Sequence, residues 1–143
     1  MKWIFAFALA ASLMVSGCIG QRGALTEEEK AAVFNYAGPA VDRMMAGFND
    51  ENYTRFSADF GGTLRTAMTE ERFMELRGET VPKVGLYMSR GSAALEKLQG
   101  FYRVTYLTDW EKESGVKLTV TFMTNDPYHS IQGLWFDSPG LRE

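Results

Sequence analysis

The stretch Val116-Lys117-Leu118-Thr119-Val120-Thr121-Phe122-Met123 alternates apolar side chains at 116, 118, 120 and 122 with Lys117, Thr119, Thr121 and Met123. Successive side chains of a strand point to opposite faces, so this pattern predicts a strand with one buried face. Just upstream, Tyr102, Val104, Tyr106, Thr108 and Trp110 alternate with Phe101, Arg103, Thr105, Leu107 and Asp109 in a second strand. Gln99-Gly100, Glu113-Ser114-Gly115 and Asn125-Asp126-Pro127 are turn signals between strands. Leu86 to Leu98 before and Ser130 to Phe136 after bring the count to four, and loops this short join antiparallel neighbours. Gly91 inside the first strand marks a bulge or bend.

Further upstream the period becomes helical. Thr26-Glu27-Glu28-Glu29 is a capping-box pattern: the Thr hydroxyl accepts an early backbone N–H, and the Glu three residues on can reach back. Val33, Tyr36/Ala37, Ala40/Val41, Met44/Met45 and Phe48 then recur at three-to-four spacing, one apolar stripe of a long helix. Gly38-Pro39 predicts a kink, because proline cannot donate its backbone hydrogen bond and crowds the preceding turn. Asn49-Asp50 offers a cap for a short second helix carrying Tyr53, Phe56 and Phe60 and ended by Gly61-Gly62. Thr69 caps a third helix with Phe73, Leu76, Val81 and Val84 inward, closed by Pro82 and Gly85. Helices followed by an antiparallel meander give an α+β class, with N-terminal helices packed on a four-stranded sheet.

The first residues read differently. Lys2 precedes an apolar run from Trp3 to Val15, followed by small residues Ser16 and Gly17, which is the layout of a secretory signal. The run is shorter than the roughly 17 to 25 residues a membrane-crossing helix needs. Val15-Ser16-Gly17-Cys18 resembles the lipobox of prokaryotic lipoproteins, with Val in place of the commonest Leu at its first position. That resemblance implies lipidation at Cys18, cleavage before it, and a location in the cell membrane or envelope, lipid-anchored and extracytoplasmic. Residues 1–17 are then the signal peptide, 18–25 the lipidated N-terminus and tether, 26–138 the folded domain and 139–143 a C-terminal tail. Removing residues 1–17 from the 143 leaves 126 and, with Lys2 gone, takes the formal charge from -3 to -4. Acyl chains contribute about 0.8 kcal/mol per buried CH₂, so two or more hold such a domain on a membrane without a membrane-binding face. The seven residues Ile19 to Leu25 reach at most about 25 Å, which keeps the domain near the lipid.

Composition narrows the chemistry. With 18 acidic against 15 basic residues and no basic block, the chain lacks the phosphate-neutralising charge of a nucleic-acid binder. A single Cys and a single His provide neither an internal disulfide nor a Cys-rich zinc site nor a His pair for a metal.

The segment Phe48-Asn49-Asp50-Glu51-Asn52-Tyr53-Thr54-Arg55-Phe56, then Phe60, Leu64, Met68-Thr69-Glu70-Glu71-Arg72-Phe73 and finally Ile131-Gln132-Gly133-Leu134-Trp135-Phe136, resembles nuclear transport factor 2-like (cystatin-like cone) domains of prokaryotic envelope proteins. The likeness spans about residues 26–138. It implies a curved sheet wrapped around helices with a cavity between them, and no particular reaction, since this architecture hosts enzymes, adaptors and assembly domains alike.

An enzyme of this build needs an acid or base held near a Tyr donor. The pool is Tyr36, Asp42 and Tyr53 on the helices and Arg103, Tyr106 and Asp109 on a strand, with Asp109, Asp42 and Tyr36 as catalytic candidates. Asp109 shares a strand face with Leu107, and is a candidate general base if that face is concave. His129, in or after a turn, lacks a nucleophile-elbow motif to serve. Asp109, Glu111 and Glu113 are spaced by two but have Lys112 among them, which favours a solvated face over a calcium site. Tyr102, Tyr106 and Trp110 share a strand face that Tyr87 and Trp135 can join, either as core or as a ligand or subunit surface. The leading expectation is non-enzymatic binding of a small apolar ligand or an envelope protein partner, with no cofactor, metal or nucleic acid. The alternatives are an isomerase- or dehydratase-like enzyme pairing a cavity Asp with a Tyr, and a structural homodimer.

Overall fold

A computed structural model describes residues 24–143; the signal segment, the lipobox and Cys18 lie outside the described residues. Helices come first: α1 (Glu27–Asn49), α2 (Tyr53–Phe56), α3 (Gly62–Ala67) and α4 (Glu70–Val84). Strands β1 (Tyr87–Leu98), β2 (Phe101–Trp110), β3 (Ser114–Met123) and β4 (Ile131–Asp137) form an open antiparallel meander in the order β1-β2-β3-β4, followed by a 3₁₀ turn at Gly140–Arg142. The class is α+β, as the change of period predicts.

The caps at Thr26 and Thr69 form as expected, each side chain accepting from the backbone N–H three residues on (Glu29 and Arg72). α1 runs helical through both sides of Pro39. Gly38 is buried against the Arg90 guanidinium and Pro39 faces outward, so the ring meets no packed neighbour and tertiary burial carries the helix past the lost hydrogen bond. Asn52, rather than Asn49-Asp50, caps α2. Phe60 falls outside α2 and pairs with Ile131 in an isolated bridge, where Gly61 N–H donates to the Ile131 carbonyl at 2.9 Å and Ile131 N–H to the Asp59 carbonyl at 2.7 Å. This pairing covers the first residue of the outer edge of β4. Gly61, read as a stop, caps the additional helix α3 instead.

Bulges set which side chains face the helices. Gly91 lies in a register irregularity of β1 between Arg90 and Ala93, and Gly115, at φ 76°, is the extra residue of β3 between Ser114 and Val116. In β4, Phe122 pairs with Ile131 and Thr121 with Gly133, so Gln132 is extra and the facing parity of the strand changes there. The core between helices and sheet contains Val41, Met44, Met45 and Phe48 of α1 and Phe56 and Phe73 of α2 and α4. From the sheet it takes Val104, Tyr106 and Trp110 of β2 and Val116, Leu118, Val120 and Phe122 of β3. Residues 139–143, read as a tail, fold back: Leu141 packs on the core, Lys83 donates to its carbonyl, and Arg142 pairs with Asp137 at 2.7 Å.

Candidate functional site

Side chains of the sheet face turned away from the helices line a trough of about 880 Å³. Its floor carries Thr105, Thr119 and Thr121, with the hydroxyls of Thr105 and Thr119 3.2 Å apart. Leu98, Phe101 and Leu107 supply apolar walls, and Trp135, 56% exposed, stands on β4 beside Thr119. Three charged side chains line it: Glu96 and Arg103, paired across β1 and β2 at 2.7 Å, and Lys117. The residues alternate with core residues along the same strands, so the fold that buries Val104, Tyr106, Leu118 and Val120 necessarily presents this second face.

Gly133 explains how Trp135 lies there. A Cβ at 133 would sit 2.7 Å from the tip of the Trp135 ring and 2.8 Å from the Thr121 hydroxyl, so only glycine leaves room for the indole to lie back over its own strand. Gly133 is itself buried as a result. The Gly133-Leu134-Trp135 phrase is thus a device for holding an aromatic ring flat against the outer face.

Of the aromatic residues read as one strand face, Tyr87, Tyr102, Tyr106 and Trp110 take the core alternative and only Trp135 leaves it. Tyr106 (2% exposed) and Trp110 (3%) are in the core, where Trp110 packs edge-on against Phe48, Tyr87 and Phe136. Trp110 Nε1–H donates to Thr108 Oγ1 at 2.8 Å, and that hydroxyl donates to the Val116 carbonyl at 2.6 Å. Tyr102 is half-buried and donates to Glu29, which also takes Lys97 at 3.1 Å; the expected return of Glu29 to its own helix cap is replaced by these tertiary contacts. Trp135 alone is on the outer face, because the Gln132 bulge reverses its side relative to Ile131.

The acid–base candidates are also dispersed. Both carboxylate oxygens of Asp42 accept from Arg90, at 2.8 and 3.0 Å, and the Arg90 guanidinium lies 5.6 Å from the Tyr106 ring centroid. The hydroxyls of Tyr87 and Tyr106, buried in this neighbourhood, have no hydrogen-bond partner among the described residues. Burial is the main cause that raises both, Tyr87 to about 12. Asp109 is exposed at the end of β2, on the outer face but outside the trough lining. Tyr36 is half-buried and stacks on His129 at 3.9 Å with the rings 6° from parallel. Desolvation first, then the negative potential of Tyr102 and Asp126, pushes its hydroxyl up to about 12. Tyr53 donates to the Met68 carbonyl at 2.7 Å, a structural bond.

The three spaced carboxylates separate: Glu111 accepts from Leu86 N–H at 2.6 Å, whereas Glu113 accepts from the Ser138 hydroxyl at 2.8 Å and Gly140 N–H at 3.3 Å. Asn49 is a residue whose role the sequence pattern did not reveal. Its side-chain amide donates to the Tyr87 carbonyl at 2.7 Å and accepts from Tyr87 N–H at 3.0 Å, fixing the start of β1 to the end of α1 across 38 residues. No helix among the described residues is long and apolar enough to cross a membrane. Compared with protein-family models and with curated proteins, the chain matches none.

Proposed function

We propose that this chain is a lipid-anchored, extracytoplasmic binding domain of the nuclear transport factor 2-like kind. In this reading Cys18 carries the anchor and the outer sheet face takes up a small apolar ligand. The observation that carries the binding reading is the trough itself: an open concavity with a large aromatic side chain, Trp135, held half-exposed over a glycine. Exposed aromatic surface rimmed by polar groups marks contact sites. The lipobox-like Val15-Ser16-Gly17-Cys18 supports the anchor, and the helix-then-meander order agrees with the cone-domain resemblance.

The isomerase- or dehydratase-like alternative draws little support from the candidate acids, since Asp42 is saturated by Arg90 and Asp109 faces solvent. A second copy of the chain or an envelope protein competes for the same face as the ligand, and is distinguished by its mass. Two measurements test the proposal. Replacing Cys18→Ser abolishes acyl labelling and releases the protein from the membrane fraction; unchanged labelling and retention refute the anchor. Titrating residues 18–143 with apolar ligands shifts the emission of Trp135, and the shift is lost in Trp135→Phe; a shift that persists in that variant places the ligand elsewhere.

A further inference from the structure

We propose that the trough is built for a single-chain amphipathic carboxylate, with its head group at Lys117 and its chain running toward Leu98 and Phe101. This inference rests on the binding reading above and adds the chemical class of the ligand.

The charges lining the trough decide the head group. Glu96 and Arg103 satisfy each other at 2.7 Å. Lys117 makes no close ion pair among the described residues; its cross-strand neighbour Asp137 binds Arg142 through both oxygens, at 2.7 and 2.9 Å, and feels the Lys117 charge only at longer range. Asp109, on the same face of β2, is beyond the lining. Lys117, Asp137 and Arg142 together therefore leave one net positive charge at this end of the trough, in a chain whose overall formal charge is -3. A monoanion complements it. A cation meets no free carboxylate in the lining, and a zwitterionic head group leaves its positive end unpaired.

Shape decides the rest of the ligand. Leu107 pairs with Lys117 across β2 and β3, and Phe101 lies six residues from Leu107 along β2. At about 3.3 Å per residue the two ends are about 20 Å apart. Between them the surface offers Trp135, the threonines and the Glu96–Arg103 pair, whose opposite charges cancel at 2.7 Å, and the far end is the exposed ring of Phe101 beside Leu98. One end with net charge, a floor whose only ions pair with each other and an apolar far end match an extended acyl chain with a terminal carboxylate.

The test uses residues 18–143, which contain the whole described fold and two tryptophans, Trp110 in the core and Trp135 in the trough. Dodecanoate, dodecylphosphocholine and dodecyltrimethylammonium share a chain and differ in head group, and each is titrated at monomeric concentrations while Trp135 emission is followed. Dodecanoate is expected to bind about tenfold or more tighter than the other two, the scale of one charge-assisted hydrogen bond. Lys117→Glu reverses that order and Lys117→Met levels it, with thermal midpoints unchanged because the side chain is exposed. Equal binding of all three, or an order that Lys117→Glu leaves intact, overturns the carboxylate inference while the binding reading stands. No response to any of the three overturns both, as does a dimer by sedimentation whose Trp135 is already shielded and whose emission dodecanoate leaves unchanged.

Discussion

Thr108→Val tests whether one hydroxyl holds the end of the sheet in place. Thr108 is fully buried at the point where the β2–β3 register shifts around Gly115. Its hydroxyl accepts from the Trp110 indole at 2.8 Å and donates to the Val116 carbonyl at 2.6 Å. Valine fills the same volume, so no cavity term enters. What changes is that the indole N–H loses its partner inside the core and the carbonyl loses the hydroxyl. Each buried group left without its bond costs about 1–3 kcal/mol, and burying a methyl in place of the hydroxyl offsets about 1 kcal/mol, for a net loss of about 3 kcal/mol. With an unfolding entropy of about 2.1 cal/mol/K per residue over a domain of this size, the midpoint falls by about 12 °C. Thr108→Ser keeps both hydrogen bonds, gives up one methyl group and costs about 1 kcal/mol. Urea unfolding followed by the near-ultraviolet circular dichroism of Trp110 reads both variants. A valine variant as stable as the serine one would falsify the assignment of this hydroxyl as the bond that closes the bulge.

Two glycines in helices are expected to respond to alanine with opposite signs. A Cβ at Gly47 would lie 2.3 Å from Phe56 N and 2.8 Å from its Cα, both backbone atoms of α2, so Gly47→Ala forces α1 and α2 apart and costs about 1–3 kcal/mol despite the better helix propensity. Gly78 has nothing within 4 Å, so Gly78→Ala gains about 1 kcal/mol; thermal midpoints that move together contradict the packing described. The tyrosines predict an alkaline limit. Tyr36 and Tyr87 hold their protons up to about 12 in the folded protein, against 10.0 for an unburied phenol. The folded state thus binds these protons more tightly, its stability is complete below about pH 10, and it declines as pH rises from about 10 toward about 12. Urea unfolding free energies that stay level across that window, or phenolate absorbance that appears at the ordinary pH in the native protein, refute it.

How far the sequence leads differs between elements. The alternation in 101–110 and 116–123 and the threonines at 26 and 69 carry their information within a few residues, and the structure forms those strands and caps. The bond from Asn49 to Tyr87 and the pairing of Phe60 with Ile131 join positions far apart in the chain, and no local pattern encodes them.

By itself the sequence determined the α+β order and, along 101–110 and 116–123, which residues share a side. The tertiary structure decided which side of β4 belongs to the core. Period-two alternation defines faces only relative to a strand's own neighbours, and a single extra residue inverts them. Gln132 is that residue: it lets Ile131 enter the core opposite Phe122 while Gly133 and Trp135 turn to the outer face. Trp110 and Trp135, equivalent as aromatic strand residues on the page, therefore end as a hydrogen-bonded core ring and the wall of an open trough.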